Sequence, residues 1–258
     1  MKKLPVLLSI PHGGTKRPSE LDGHLCITEH DQFDDSDPFV VEIYDLGDKV
    51  QRIIKTDIAR AFVDLNRSTQ DLPPVNPDGL IKSSTCYQKP IYHKGKEPGE
   101  ILMRKLIDQH YYPYHKKIQK CIRELDLQLC LDCHSMASTA PNISPDGDNK
   151  KRPLFCLSNQ YGKTSSDQMI NLLADCISDA FSVDRKDILL NDPFYGGYIT
   201  KTYGNNPIPW IQIEMNRIMY LDQQWFDHEK LTIDKTRLIS LNRMFGMSLN
   251  LFFDKISF

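Results

Sequence analysis

Two histidines stand where short apolar runs of the sequence end. His12 follows the run at residues 4–10, and His134 follows the run at residues 126–133. Both runs are typical of buried strands, so each imidazole is delivered by a strand end. Two imidazoles and one carboxylate are a common catalytic zinc set that leaves a fourth position for water. The sequence therefore predicts one divalent metal ion on His12 and His134, with zinc as the first choice, although the same ligands suit cobalt, manganese or iron.

The carboxylate of this metal set is less clear from the sequence. Asp37 is the first choice because it opens the helix that follows the His12 loop, with Pro38 at the first helical position. Its alternative role is a plain helix cap. The other candidates for the third ligand are Asp35, Glu20 and Glu42. Asp132, two residues before His134, can instead orient that histidine.

A hydrolytic site of this kind also needs a base and a group that binds anions. Glu214 ends the apolar run at residues 210–214, where a charge is costly to bury without a partner, and it suits the base. Its alternative role is a structural ion pair with Arg217. Arg60 and Arg67 are the candidates for anion binding, because a guanidinium offers a fork to a substrate carboxylate. Either arginine could instead be a solvated surface residue.

Residues 130–134 match a competing pattern, C-x-x-C-H, which is typical of c-type haem attachment. The pattern lies in a predicted strand, where Cys130 and Cys133 would point to opposite faces, so we do not expect haem. The chain has 7 cysteines, an odd number, which favours free thiols in a reducing compartment. The apolar run after Met1 is short and is followed by Pro11, so we expect a strand rather than a signal peptide and a cytoplasmic protein.

The elements that must position these residues alternate along the chain. The pattern predicts strands at residues 4–10, 61–65, 126–133, 154–158 and 210–214. It predicts helices at residues 38–52, 97–125, 165–182 and 233–253. This alternation is typical of an α/β fold with a mixed, mostly parallel central sheet and helices on both faces. We expect a single domain over residues 1–258, with the site at the carboxyl ends of the strands.

Composition excludes several classes of partner. The formal charge is −2 and no block of like charge occurs, so no nucleic-acid partner is expected. No stretch approaches the roughly 20 apolar residues that span a bilayer, so no membrane partner is expected either. The expected partner is a small-molecule substrate that carries a carboxylate, and the oligomeric state stays open.

Five short motifs in one order resemble the N-formylglutamate amidohydrolase family. They are SIPHGG at 9–14, FVDLNR at 62–67, DCHSM at 132–136, PFYGGYIT at 193–200 and QIEMNR at 212–217. The resemblance runs over about residues 5–222. It implies a phosphorylase/hydrolase-like fold, related to zinc carboxypeptidases and aspartoacylases, and the hydrolysis of N-formyl-L-glutamate to formate and L-glutamate.

The resemblance also implies roles for particular residues. Asn66 and Arg67, in the DLNR stretch, hold a substrate carboxylate, Arg60 polarises the scissile carbonyl, and Glu214 is the base. The remaining substrate-binding residues that it implies are Gly197, Tyr198 and Arg217. The His-x-x-Glu metal motif of the carboxypeptidases is broken after His12, so the third ligand stays open.

Two other functions fit the same residues. One is another N-acyl amino acid acylase, or a carboxypeptidase-like peptidase of the same fold. The other is a non-catalytic binding protein that keeps the fold.

Overall fold

The main sheet of the protein has six strands, four of which are parallel neighbours. The computed structural model describes residues 3–141, 146–147 and 150–256. The strands are β1 (Leu4–Ile10), β2 (Val50–Lys55), β3 (Leu129–Met136), β4 (Phe155–Ser158), β5 (Ile188–Leu190) and β6 (Trp210–Asn216). Their order in the sheet is β2-β1-β3-β6-β4-β5. Strands β2, β1, β3 and β6 run parallel, and β4 is antiparallel to β6 but parallel to β5. The predicted mixed, mostly parallel sheet is confirmed.

Helices cover both faces of this sheet, as the sequence predicts. The helices are α1 (Glu29–Asp35), α2 (Val40–Tyr44), α3 (Glu100–Leu106), α4 (Tyr112–Glu124), α5 (Asp167–Phe181), α6 (Tyr198–Tyr203), α7 (Ile218–Leu221) and α8 (Lys235–Lys255). A π-helical turn (Ile107–Tyr111) joins α3 to α4, and a two-stranded ribbon pairs β7 (Phe226–Asp227) with β8 (Thr232–Ile233). Helices α2, α5 and α8 pack on one face, whereas α4 packs on the other. None of the helices in the described ranges is long and apolar enough to cross a membrane.

The helix predicted at residues 38–52 is wrong in most of its length. Phe39 has a φ of 61° in the left-handed region, so the helix begins only at Val40 and ends at Tyr44. Pro38 is therefore not the first residue of a helix. Residues 50–55 form β2, the edge strand beside β1. The β-branched residues of β2 and its pairing with β1 outweigh the weak helical periodicity of this stretch.

The strand predicted at residues 61–65 is also wrong. This segment is buried but folds as turns, and the only pairing nearby is two isolated bridges, Gly14 with Ala59 and Lys16 with Ile58, among the described residues. Phe62, Val63 and Leu65 instead belong to the hydrophobic cluster on the α4 face of the sheet. An apolar run of this length can enter the core without joining the sheet, because burial does not require strand pairing.

His115 on α4 contacts the backbone of this turn segment. Its side chain is 6% exposed; Nε2 lies 3.0 Å from the carbonyl oxygen of Leu65, and Nδ1 lies 2.9 Å from the hydroxyl of Tyr203. Burial lowers the pKa of His115 from 6.5 to about 4. The folded protein therefore holds this imidazole neutral under conditions in which the unfolded chain protonates it.

This shift predicts an acid-sensitive part of the stability. The unfolded chain binds the proton below pH 6.5 and the folded chain only below about pH 4, so the free energy of unfolding falls as the pH drops between these values. The fall from this group is about 3 kcal/mol. Denaturant titrations of the wild type and of His115→Gln between pH 4 and pH 7 measure it. The variant should show a shallower decline, and parallel curves would contradict the prediction.

Candidate active site

Two neighbouring strands place polar side chains on one face of the sheet. In β3 and β6, Cys130 and Trp210 lie in the hydrophobic cluster on the α4 face. Side chains two residues apart share a face, so the following even-numbered positions continue it towards the carboxyl ends. These positions are Asp132, His134, Gln212 and Glu214. The parallel register sets His134 opposite Glu214, and both are buried. The apolar cluster thus gives way to a buried polar site at the carboxyl edge.

His12, Asp37 and His134 converge at this edge. The Nδ1 atoms of the two histidines are 3.1 Å apart. Asp37 Oδ2 lies 3.3 Å from the His12 Nδ1 atom and 3.1 Å from the His134 Nδ1 atom. The three side chains are at most 7% exposed. Three potential metal ligands therefore form a nearly equilateral triangle of atoms.

The far nitrogens of both histidines meet other carboxylates. His12 Nε2 lies 2.8 Å from Asp64 Oδ1, and His134 Nε2 lies 3.2 Å from Asp132 Oδ2. A carboxylate only accepts hydrogen bonds when ionised, so it favours the proton on Nε2 and leaves a lone pair on Nδ1. Two imidazole lone pairs and one carboxylate oxygen then point at the same small space. Such a convergence of acceptors is stable when a cation lies between them.

The triangle also has the size that a divalent transition metal requires. Nitrogen and oxygen ligands of a tetrahedral zinc ion are separated by roughly 3.3–3.5 Å, since each lies about 2.0–2.2 Å from the ion. The three edges measured here are 3.1, 3.3 and 3.1 Å. The donor set and its spacing therefore fit such an ion.

The surroundings of Asp37 and His134 favour positive charge at the triangle. Burial alone would raise the pKa of Asp37, yet hydrogen bonds from His12 and His134 hold it well below its usual range. Burial likewise opposes protonation of His134, but the charge of Asp132 and hydrogen bonds to Asp132 and Asp37 raise its pKa well above its usual range. Both directions show a strong local preference for positive charge at the triangle.

Arg217 holds the other oxygen of Asp37. Its Nη2 donates to Asp37 Oδ1 at 3.0 Å and to the carbonyl of Ser36, and its Nη1 donates to the carbonyl of Asp34 at 3.0 Å. Its Nε donates to the Ser135 hydroxyl at 3.1 Å. The ion pair with Glu214 that the sequence left open is therefore wrong, because Arg217 pairs with Asp37. These contacts occupy most of the donors of Arg217.

The other candidates for the third ligand lie elsewhere. Asp35 is fully buried, but both of its carboxylate oxygens accept from Lys82. Glu20 lies 3.4 Å from Lys105, and Glu42 is exposed on α2. Among the described residues, His12, Asp37 and His134 form the group of histidine and acidic side chains that lie close enough together to hold a metal ion.

Glu214 lies beside this triangle in a nearly closed environment. Its side chain is 7% exposed, and Gln212 Nε2 donates to its Oε1 at 2.8 Å. Burial raises the pKa of Glu214 to about 7, against the lowering effect of His134. A carboxylate with a pKa near neutrality can both accept and release a proton at physiological pH. Glu214 therefore has the properties of a general base.

A cavity of about 370 Å³ opens onto these groups. His12, Asp37, His134 and Glu214 line it together with the side chains of Arg60, Asn66, Arg67, Arg152 and Arg217. Arg60 donates from Nε to Asp64 Oδ2 at 2.9 Å and from Nη1 to the carbonyl of Asp35 at 3.1 Å. Arg67 is 34% exposed, more than Arg60 at 15% or Arg217 at 12%, so it is the most accessible of these three. A small anionic molecule matches this lining.

Gly197 and Asn66 meet at the wall of the cavity. The Asn66 side-chain oxygen accepts from the Ile199 amide at 2.7 Å, and the Gly197 amide donates to Gln212 Oε1 at 2.6 Å. Tyr198 is different from its neighbour: it packs against the cluster around Tyr111 and His115, and it is not among the described residues that line the cavity. The chain enters α6 directly after Gly197, which turns the Tyr198 side chain away.

This contact predicts that Gly197 tolerates no side chain. A Cβ at this position would lie 2.3 Å from Asn66 Nδ2, closer than real Cβ atoms come to other atoms. Gly197→Ala is expected to displace Asn66 and to lower kcat/KM for the substrate at least about 10-fold, since misplacement by about 1 Å can cost 100-fold. Steady-state kinetics measure the effect. Gly99→Ala, where a Cβ meets nothing within 4 Å, is the control and should behave as the wild type.

Several residues of the site are absent from the sequence predictions. Asp64 bridges His12 and Arg60, Gln212 joins Glu214 to the Gly197 loop, and Arg152 lines the cavity while its guanidinium pairs with Asp146. The spacing of two residues between Gln212 and Glu214 signals that they share a strand face. For Arg152 the sequence offers no comparable signal.

Known proteins are similar to this chain in fold and in sequence. The crystal structure of N-formylglutamate amidohydrolase from Ralstonia eutropha superposes with a TM-score of 0.78 at 19% identity, covering 98% of this chain and 94% of that one. The N-formylglutamate deformylase of Pseudomonas aeruginosa is 27% identical over 231 residues, which cover 86% of this chain and 84% of that protein. The deformylase of Pseudomonas putida is 26% identical over 230 residues, covering 86% and 83% respectively.

The superposition shows the class of fold, which is the mostly parallel α/β fold seen in an amidohydrolase. In this chain, a buried polar site lies at the carboxyl edge of the sheet. The family follows from the sequence. A model of the N-formylglutamate amidohydrolase family matches residues 4–221. The chain belongs to that family, which confirms the resemblance carried by the five motifs.

Proposed function

We propose that the protein is a metal-dependent hydrolase that removes the formyl group from N-formyl-L-glutamate, giving formate and L-glutamate. The observation that carries the proposal is the triangle of His12, Asp37 and His134 beside the buried carboxylate of Glu214. The names of the Pseudomonas relatives support the substrate.

In this proposal His12, Asp37 and His134 hold one divalent ion, with zinc as the first choice. Bound there, such an ion supplies Lewis-acid polarisation and activation of water. Asp64 and Asp132 keep the Nε2 protons of the histidines in place, so that each Nδ1 faces the ion. Arg217 fixes the orientation of Asp37 through its second oxygen. We therefore assign Arg217 to positioning rather than to direct substrate binding.

Glu214 acts as the general base. It removes a proton from the attacking water and delivers that proton to the leaving amine nitrogen. A pKa of about 7 suits both directions of transfer. Gln212 holds the carboxylate by donating to Oε1 and so aims the other oxygen into the cavity.

Arg67 and Asn66 bind a substrate carboxylate. Asn66 Nδ2 lies 3.2 Å from His134 Nε2, so an anion held here is next to the histidines. In this proposal the bound anion is the carboxylate on the α-carbon, which is the one nearest to the scissile amide. Arg60, which also lines the cavity, stabilises negative charge on the scissile carbonyl oxygen. The Gly197 backbone lines the cavity beside Asn66.

Elemental analysis combined with formate release tests the proposal. We expect about one equivalent of a divalent metal per chain and release of formate from N-formyl-L-glutamate that stops when a chelator removes the metal. A panel of other N-acyl amino acids and short peptides, assayed under the same conditions, tests the specificity. Faster hydrolysis of an N-acetyl substrate or a peptide would favour the alternative acylase or peptidase. Absence of both metal and hydrolysis would favour a binding protein.

A further inference from the structure

Lys82 is a fully buried cation outside the catalytic group. Its side chain is 0% exposed, and its Nζ lies 2.8 and 2.7 Å from the two carboxylate oxygens of Asp35, which is also fully buried. Lys82 forms a second ion pair with Asp78. One cation thus joins two carboxylates that come from distant parts of the chain.

Each of these carboxylate residues contacts an arginine of the cavity. Asp78 Oδ2 accepts from Arg67 Nη2 at 3.0 Å. The backbone carbonyl of Asp35 accepts from Arg60 Nη1 at 3.1 Å. Lys82 is therefore one residue removed from both arginines, and the chain of contacts from Lys82 through Asp78 ends on the accessible guanidinium of Arg67.

Stability is a weak reason for a lysine at this place. Replacing a buried ion pair by apolar side chains of similar volume is often neutral or stabilising, because desolvation offsets the attraction of the charges. Asp78, by contrast, is the carboxylate closest to the Arg67 guanidinium, at 3.0 Å against 3.6 Å for Asp64 and 3.9 Å for Asp71. A long side chain held in advance loses less conformational entropy when it binds an anion, so it binds more tightly.

We propose that Lys82 is a positioning residue: by anchoring Asp78 between itself and Arg67, it fixes the Arg67 guanidinium where the substrate carboxylate binds. This inference rests on the proposed function, which assigns Arg67 to that carboxylate. Asp35 is the other end of the anchor, since it holds Lys82 and also accepts from the Cys86 amide at 2.7 Å.

The test compares two substrates in two variants. The substrates are N-formyl-L-glutamate and N-formyl-L-isoglutamine, in which the carboxylate next to the scissile amide is a carboxamide. The variants are Lys82→Met and the double variant Lys82→Met/Asp35→Asn, which removes one charge of each sign and keeps the acceptor for the Cys86 amide. We expect the ratio of kcat/KM for the two substrates to fall at least about 10-fold, mainly through KM of the carboxylate substrate, because only this substrate uses Arg67.

Lys55→Met is the matched control. Lys55 pairs with Asp45 at 2.7 Å away from the cavity, so the same substitution there should leave the ratio unchanged. A merely structural role of Lys82 would lower kcat/KM for both substrates alike, and a ratio within twofold of the wild type in the folded variants overturns the proposal.

Binding of the product L-glutamate distinguishes a failure of the proposed function from a failure of the positioning role of Lys82. Calorimetric titration of L-glutamate and L-isoglutamine into the same proteins needs no turnover. If the wild type hydrolyses neither substrate, the proposed function fails, and the binding preference then decides the role of Lys82. Loss of the preference for L-glutamate in the variants supports the role. The role is overturned if the variants keep this preference, or if the wild type does not show it.

Discussion

Glu214→Gln should bind metal as the wild type does and should lose about 10²–10⁴-fold in kcat, the usual contribution of a positioned general base. The substitution keeps the size of the side chain and an oxygen that can accept from Gln212 Nε2. It removes the carboxylate, which is the group that can take a proton from water. The loss should therefore appear in kcat, with little change in KM. Formate release under saturating substrate measures it.

Two controls separate the loss of the base from a loss of structure. The thermal midpoint should stay close to that of the wild type or rise, because a buried carboxylate whose pKa is raised to about 7 is replaced by a neutral amide. The metal content should also be unchanged. Wild-type turnover in this variant would show that Glu214 is not the base.

Asp37→Ala is expected to remove the metal and, with it, the activity. Residues that only orient a ligand already contribute about 10–100-fold to metal affinity, so loss of a ligand should cost more than about 100-fold. Arg217 keeps acceptors in this variant, namely the backbone carbonyls of Asp34 and Ser36, so the fold should persist. Equilibrium dialysis followed by elemental analysis measures the affinity, and formate release follows the activity.

Glu42→Ala is the matched control for this prediction. Glu42 is also acidic and lies five residues further along the chain, but it is exposed on α2. It should keep both metal and turnover. The reverse pattern, with metal lost in Glu42→Ala and kept in Asp37→Ala, would contradict the assignment of the third ligand.

Much of this site is already present as local pattern in the sequence. Two apolar runs, one followed by His12 and the other by His134, predict strands that carry imidazoles to one edge of a parallel sheet. The structure has these strands as β1 and β3, although β3 extends to Met136 and so includes His134. The placement follows from periodicity and from the shared direction of parallel strands, both of which are local rules.

The third member of the triangle, Asp37, is harder to predict because it lies far from the histidines in the sequence. Asp37 is separated from His12 by 24 residues that contain turns, α1 and little regular pairing. The helix start that favoured Asp37 in the sequence is absent, since the helix begins at Val40, and the spacing alone does not rank Asp37 above Asp35. The ranking comes from partners far away in the chain, because Lys82 binds both oxygens of Asp35, whereas Arg217 orients Asp37 towards the histidines.

The contacts of Arg217 and Tyr198 are likewise not predictable from the sequence. Both belong to motifs that the family resemblance connects with substrate, and side-chain direction decides what each can contact. The backbone turn after Gly197 sends Tyr198 into the cluster on the α4 face, and four groups of the loop and strand around Asp37 accept from Arg217. Motifs specify residue types in order, but they do not specify which neighbour takes each donor.

Local pattern is enough to predict the groups of this site: two imidazoles, a late carboxylate and a set of arginines, on an α/β chain whose motifs follow the order of the N-formylglutamate amidohydrolase family. How these groups pair with one another follows from the three-dimensional fold. Which nitrogen of each histidine faces the site, which aspartate completes the triangle and which arginine stays accessible all depend on contacts between residues up to about 180 positions apart, such as Arg217 with Asp37. Such pairings depend on burial and packing in three dimensions, and local pattern does not encode them.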